Sequence, residues 1–165
     1  NVSPILDLKK SSYVLINNLI NSLETNDQLN SELKTFGGAA KARYLTKPMR
    51  LNLEIPANKL RLEFAANTPQ GTQIRAYYRI FNSINELAEL SVTDKNWVSL
   101  GSFSKIPKNS DTFIDFATET LDPIPYLGID NLHSFDTCQV KLVLDSTNPA
   151  LVPRVKDFRL IALSE

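Results

Sequence analysis

In the stretch TQIRAYYRIF, Arg75, Tyr77, Arg79 and Phe81 alternate with Ile74, Ala76, Tyr78 and Ile80. Successive side chains of an extended strand project to opposite faces, so this spacing gathers two guanidinium groups and two aromatic rings on one of them. Such a row stacks on sugars or bases, or anchors a protein interface. It is the candidate interaction surface of the chain. The alternative is a packed face, covered by a second sheet or by a neighbouring subunit.

Residues able to do acid, base or nucleophilic work are sparse. His133 is the only histidine and lies in NLHSFD, a polar loop ahead of a strand. A histidine-dependent triad needs a nucleophile and an orienting acid around its base, and no such constellation is visible, so His133 reads as a loop residue. Asp111, Asp115, Glu119 and Asp122 supply carboxylates, of which Asp115 and Glu119 are the pair a glycoside hydrolase would use. Their spacing marks no known site. Cys138, the only cysteine, sits in an apolar alternating segment and reads as a small core residue; a lone thiol also excludes a disulfide scaffold and a cysteine zinc site. Asp130, Asp136 and the turn at Asp122 offer oxygens to calcium without EF-hand spacing. Gly37-Gly38 lacks the following lysine of a phosphate-cradling loop. These residues predict no catalytic site, no cofactor and no metal.

The bulk properties narrow the class of partner. Lys plus Arg equals Asp plus Glu at 18 each, so no net field draws nucleic acid or an anionic membrane from a distance. With 42% hydrophobic and 22% charged residues the chain lies in the globular range, and 165 residues suit one domain with one core. No run approaches the roughly 20 apolar residues of a membrane span, and Asn1 to Lys10 lacks the features of a signal peptide. A protein that is soluble and intracellular when made is expected. Because the first residue is Asn, a segment of a longer chain or a processed form is also expected.

The elements that must position these groups are strands. SYVLINNLI, Ser12 to Ile20, is rich in β-branched and aromatic residues, and Asn21 to Phe36 reads as a loop with one helical turn closed by Gly37-Gly38. In KARYLTKPMRLNLEIP an alternation is broken by Pro48, which places the strand at an edge or a bulge. KLRLEFA, Lys59 to Ala65, sets Leu60, Leu62 and Phe64 against Lys59, Arg61 and Glu63, one face core and one wet. Asn67 to Gly71 supplies the proline and glycine of a hairpin into the Thr72 to Asn82 strand. Ser83 to Asn96 reads as a long loop. Strands follow at Trp97 to Ser102, Thr112 to Thr118, Phe135 to Asp145 and Val155 to Leu163. In the third, Cys138, Val140, Leu142 and Leu144 point inward. In the last, Phe158, Leu160 and Ala162 share one face.

At least six strands with turn-rich connections and no amphipathic helix of ordinary length predict an all-β fold: an antiparallel β-sandwich, jelly-roll-like, with at most a short helical turn. One domain over 1–165 is expected, with an N-terminal strand and loop over 1–40 and the main sandwich over 41–165.

Three stretches carry a family resemblance. Ala40 to Phe81, with ARYLTK at Ala42 to Lys47, LRL at Leu60 to Leu62 and TPQGTQIRAYYR at Thr68 to Arg79, resembles a segment of virion structural proteins of contractile-tailed, T-even-like phages and cyanophages. CQVKLVLDSTNPALVPRVKDFRLIAL, Cys138 to Leu163, is similar to that family's closing stretch, and VSPILDL, Val2 to Leu8, to its start. Thr68-Pro69-Gln70-Gly71 departs from a family turn in which a basic residue and two prolines are commoner. The resemblance implies a tail or baseplate component, resident in the virion and made in the host cytoplasm. Such a component would dock against other virion proteins as a homo-oligomer or as part of a larger assembly. It carries no catalytic residue across. A carbohydrate-binding module for host receptor recognition is the alternative, drawn from the sandwich architecture with Tyr77, Phe81, Trp97 and Tyr126 as stacking rings.

Overall fold

A computed structural model describes residues 19–22, 30–51, 57–83, 91–119 and 134–164. The stretches read above as the Ser12 to Ile20 strand, up to residue 18, and as the turn and loop from Asp122 to His133 lie outside these residues. The described strands are β1 (Arg43–Leu45), β2 (Met49–Arg50), β3 (Lys59–Asn67), β4 (Thr72–Phe81), β5 (Val98–Phe103), β6 (Ile114–Ala117), β7 (Thr137–Ser146) and β8 (Arg154–Leu163). They form two antiparallel sheets. In sheet 1 the order is β1-β7-β4-β5, with β2 also on β7; in sheet 2 it is β6-β3-β8.

Alternation builds the core between the sheets. Leu60, Leu62, Phe64 and Ala66 of β3 face Ile74, Ala76 and Tyr78 of β4 and Cys138, Val140 and Leu142 of β7, all buried in one cluster. Phe64 joins the layers: its ring stacks on Phe116 of β6 at 5.6 Å and meets Phe103 of β5 edge-on at 5.2 Å. The chain is thus an all-β sandwich, as the period-two pattern implies.

Two local features follow from single residues. Pro48 cannot donate to a ladder, and the chain leaves β7 between β1 and β2, so both are short edge pieces on one strand. In β8 the register against β3 shifts between Glu63 and Ala65, and Asp157 adopts φ 53° at that bulge. The extra residue lets Val155 and Phe158, three apart, both pack on the core.

The Asn67 to Gly71 turn is not a hairpin. β3 and β4 are consecutive yet unpaired, because the turn carries the chain from sheet 2 to sheet 1. Reversal chemistry fixes the direction of a chain but not its hydrogen-bond partner. Here the crossing is held by the loop after β5: Asn67 Nδ2 donates to the carbonyls of Ser110 (3.2 Å) and Thr112 (2.6 Å), and the Thr68 hydroxyl to that of Lys105 (2.8 Å). β7 and β8 cross in the same way, so the pair β4·β7 is nested within β3·β8 across the layers, a roll-type winding.

Candidate functional site

The row Arg75, Tyr77, Arg79 and Phe81 does lie on the face of β4 opposite the core, but it is not a surface. All four side chains are buried, at 3–7% exposure. Neither a second sheet nor a neighbouring subunit covers them. The cover is the chain itself: a strap, Asn30 to Ala42, that opens on a helical turn, together with a 3-10 turn at Val92–Asp94 and the Lys95 to Trp97 segment behind it. The expected interaction surface is therefore corrected to an internal interface.

Charge decides how the strap is held. Each strand alternates, so the outward residues of β4 and β7 form one mixed layer: Arg75 and Arg79 beside Gln139, Lys141 and Asp145. Arg75 grips Asp145 with both arms of its fork, Nε to Oδ2 at 2.6 Å and Nη2 to Oδ1 at 2.9 Å, and donates to the Tyr77 hydroxyl at 3.0 Å. Burial by itself would lower the Arg75 pKa, but the bonds and charge of Asp145 outweigh it and hold the guanidinium above its ordinary value.

Lys141 is fully buried, and its ammonium donates to the Glu32 carboxylate (2.8 Å) and to the carbonyls of Glu32 (2.7 Å) and Gly37 (2.9 Å). It also stands over the rings of Tyr77 (4.6 Å) and Trp97 (4.9 Å). Burial lowers its pKa, opposed by Glu32. Arg79 has no carboxylate partner. Its guanidinium donates to Gln139 and to the carbonyls of Thr35 (3.1 Å) and Thr93 (2.9 Å), and lies 4.3 Å from the centre of the Trp97 ring.

Two glycines set the strap's path. Gly37 and Gly38 have φ of 81° and 77°, and a Cβ on Gly38 would stand 2.1 Å from Glu32 Oε1, whereas one on Gly37 would meet nothing nearer than 3.4 Å. Gly37→Ala is expected to cost only the left-handed penalty of about 1–2 kcal/mol. Gly38→Ala must also dislodge the carboxylate that neutralises Lys141, so the larger loss of stability is expected there. Thermal unfolding of the two variants side by side measures the difference.

The remaining chemical candidates are accounted for one by one. Cys138 is buried, and burial pushes its thiol up to about 11, which removes thiolate at neutral pH. A thiol reagent is expected to leave Cys138 untouched in the native protein and to modify it fully in denaturant; labelling followed by intact mass measures this.

Asp136, a proposed calcium donor, is completely buried and already occupied: it accepts from the Ser83 N–H at 2.7 Å, from the Ser83 hydroxyl and from the Thr137 hydroxyl at 2.7 Å. Burial works against its charged form, yet these bonds hold its pKa below the ordinary carboxylate value. It has no free oxygen to offer a cation, and no cluster of three acidic, histidine or cysteine ligands occurs among the described residues. Asp122, Asp130 and His133 lie outside those residues.

Asp115 and Glu119 are both exposed, with Asp115 on β6 and Glu119 beyond its end. Four residues of extended chain span about 13 Å. That is wider than the roughly 5–9.5 Å between the carboxyls of a glycosidase. Asp115 instead lines a shallow cleft of about 420 Å³ with Arg61, Glu63, Asp157 and Arg159, on the outer side of sheet 2. The stacking rings expected for glycan recognition fare no better: Tyr77, Phe81 and Trp97 are buried, and Tyr126 lies outside the described residues.

Sequence reasoning missed Glu32 and Gly38, the residues that seat the strap. Their signal was only a glutamate and a glycine pair in a polar stretch, and nothing in the pattern linked them to Lys141, 109 residues away from Glu32. No family model matches this chain, and no curated protein matches it.

Proposed function

We propose that this domain is a structural component of a bacteriophage tail or baseplate that acts by docking to other virion proteins and catalyses nothing. The observation that carries the reading is where the family-like stretches fall. Ala40 to Phe81 supplies β1 to β4 and Cys138 to Leu163 supplies β7 and β8, which together are both central strand pairs of the sandwich. The resemblance therefore lies in the framework and not in a loop. The outer charged layer supports it further, because ionic groups that a binding site would present to a ligand are spent on holding the chain together.

In this reading the chain works as part of a homo-oligomer or larger assembly within the virion, and its edges and loops are the contact surfaces. The test is to purify intact virions from the cells that make this protein and identify their proteins by mass spectrometry. Recovery in stoichiometric amounts with tail or baseplate proteins is expected. Recovery only in the soluble fraction of the infected cell overturns the proposal, as does glycan binding without any binding to tail proteins.

A further inference from the structure

The main core closes without the strap. Its earliest contributor is Met49, and every buried member lies between Ala57 and Leu142. Only Leu33 and Ala40 of the strap pack on apolar groups, in a small separate cluster with Tyr77, Trp97 and Val143. Otherwise the strap is attached by acceptors that it brings and donors that the sheet offers: the Glu32 carboxylate and the carbonyls of Glu32 and Gly37 to Lys141, and the carbonyl of Thr35 to Arg79.

Much of the receiving face is organised in its own right. The Arg75 to Asp145 fork and the Arg79 to Gln139 bonds are made within sheet 1, so they persist when the strap is away. Lys141 differs, since the three hydrogen bonds of its ammonium all go to the strap. The strap joins the sandwich at Lys41, an exposed residue next to the three-residue edge strand β1, so a change of backbone direction there redirects it without touching the core.

From this we infer that the strap is exchangeable between copies: the chain up to Lys41 of one molecule seats on the outer face of sheet 1 of a second, with Glu32 of the first copy on Lys141 of the second. A second copy is the occupant this face fits, because every copy carries the same acceptors opposite the same buried cations. Within one chain the strap competes at an effective concentration on the order of millimolar. Exchange is therefore negligible in dilute solution and becomes favourable where copies stand side by side.

Two full-length variants test this. Glu32→Ala spoils the strap and leaves the face intact; Lys141→Met spoils the face and leaves the strap intact. Trp97, the only tryptophan, lies under the strap and reports its seating. Each variant alone is expected to run as one chain of 18.5 kDa with red-shifted emission. Mixed one to one at high concentration, they are expected to give a species of twice that mass, with the emission of the Glu32→Ala partner moved back towards that of the wild type.

Mixing that changes neither mass nor emission overturns the inference, and so does a Glu32→Ala chain whose emission is already that of the wild type. If either variant loses its β-sheet circular dichroism, the wild type decides. Isotope-labelled and unlabelled chains together at about 1 mM, the range set by that effective concentration, are expected to show mixed two-chain species by native mass spectrometry, and one-chain species alone overturn the inference. The outcome is independent of virion location, so failure here leaves the proposed function standing.

Discussion

Asp145→Ala is expected to lower the stability of this domain by about 3–5 kcal/mol, the range for removing one partner of a buried ion pair. Asp145 has no exposed surface and receives both arms of Arg75 and the side-chain N–H of Gln73 at 3.1 Å. Without it, the buried Arg75 guanidinium keeps only the Tyr77 hydroxyl. With a urea m-value of about 2 kcal/mol per molar, the unfolding midpoint should fall by roughly 2 M. The comparison with Arg75→Leu/Asp145→Leu is the informative one. Removing both charges removes the stranded cation, so the double variant is expected to be more stable than Asp145→Ala. If the single variant unfolds at the wild-type midpoint, the pair contributes nothing and the strap's charged layer is incidental.

Phe64→Ala should be comparably damaging, at about 3–5 kcal/mol, for an apolar reason. Phe64 is the side chain through which β3 meets Phe116 in its own sheet and Phe103 in the other, so its loss opens a cavity between layers. The damage should also be local. β6 is only four residues long, pairs with β3 alone and packs through Phe116, so amide exchange at Ile114 to Ala117 should accelerate well before that of β4 or β7. Phe64→Leu, which keeps much of the volume, should recover most of the loss. Uniform acceleration across both sheets would contradict this view of β6.

What could be read in advance was set by local periodicity. The inward residues of β3, β4, β7 and β8 follow from strict alternation, and Leu60, Leu62 and Phe64 are buried as that pattern demands. The edge character of β1 and β2 follows from one proline. Partnership between distant segments was not legible. Nothing local says that β4 pairs with β7 rather than β3, because turn residues dictate a reversal and leave the hydrogen-bonding neighbour open. The same limit explains the row on β4. Its residue types and its face were right, but whether a face is wet depends on what else folds over it, and here that was a polar stretch 40 residues upstream. Arginine and tyrosine serve a buried, fully bonded layer as well as an exposed one.

The left-handed residue in β8 has a consequence outside the molecule. A ten-residue outermost strand is a template on which another extended chain can zip, and repeated pairing of that kind grows into fibres. At Asp157 the peptide groups are skewed out of line, so a docking chain finds a regular rail only over the six residues from Phe158 to Leu163. A protein packed at high local density gains from that interruption, which limits open-ended polymerisation without a covering element.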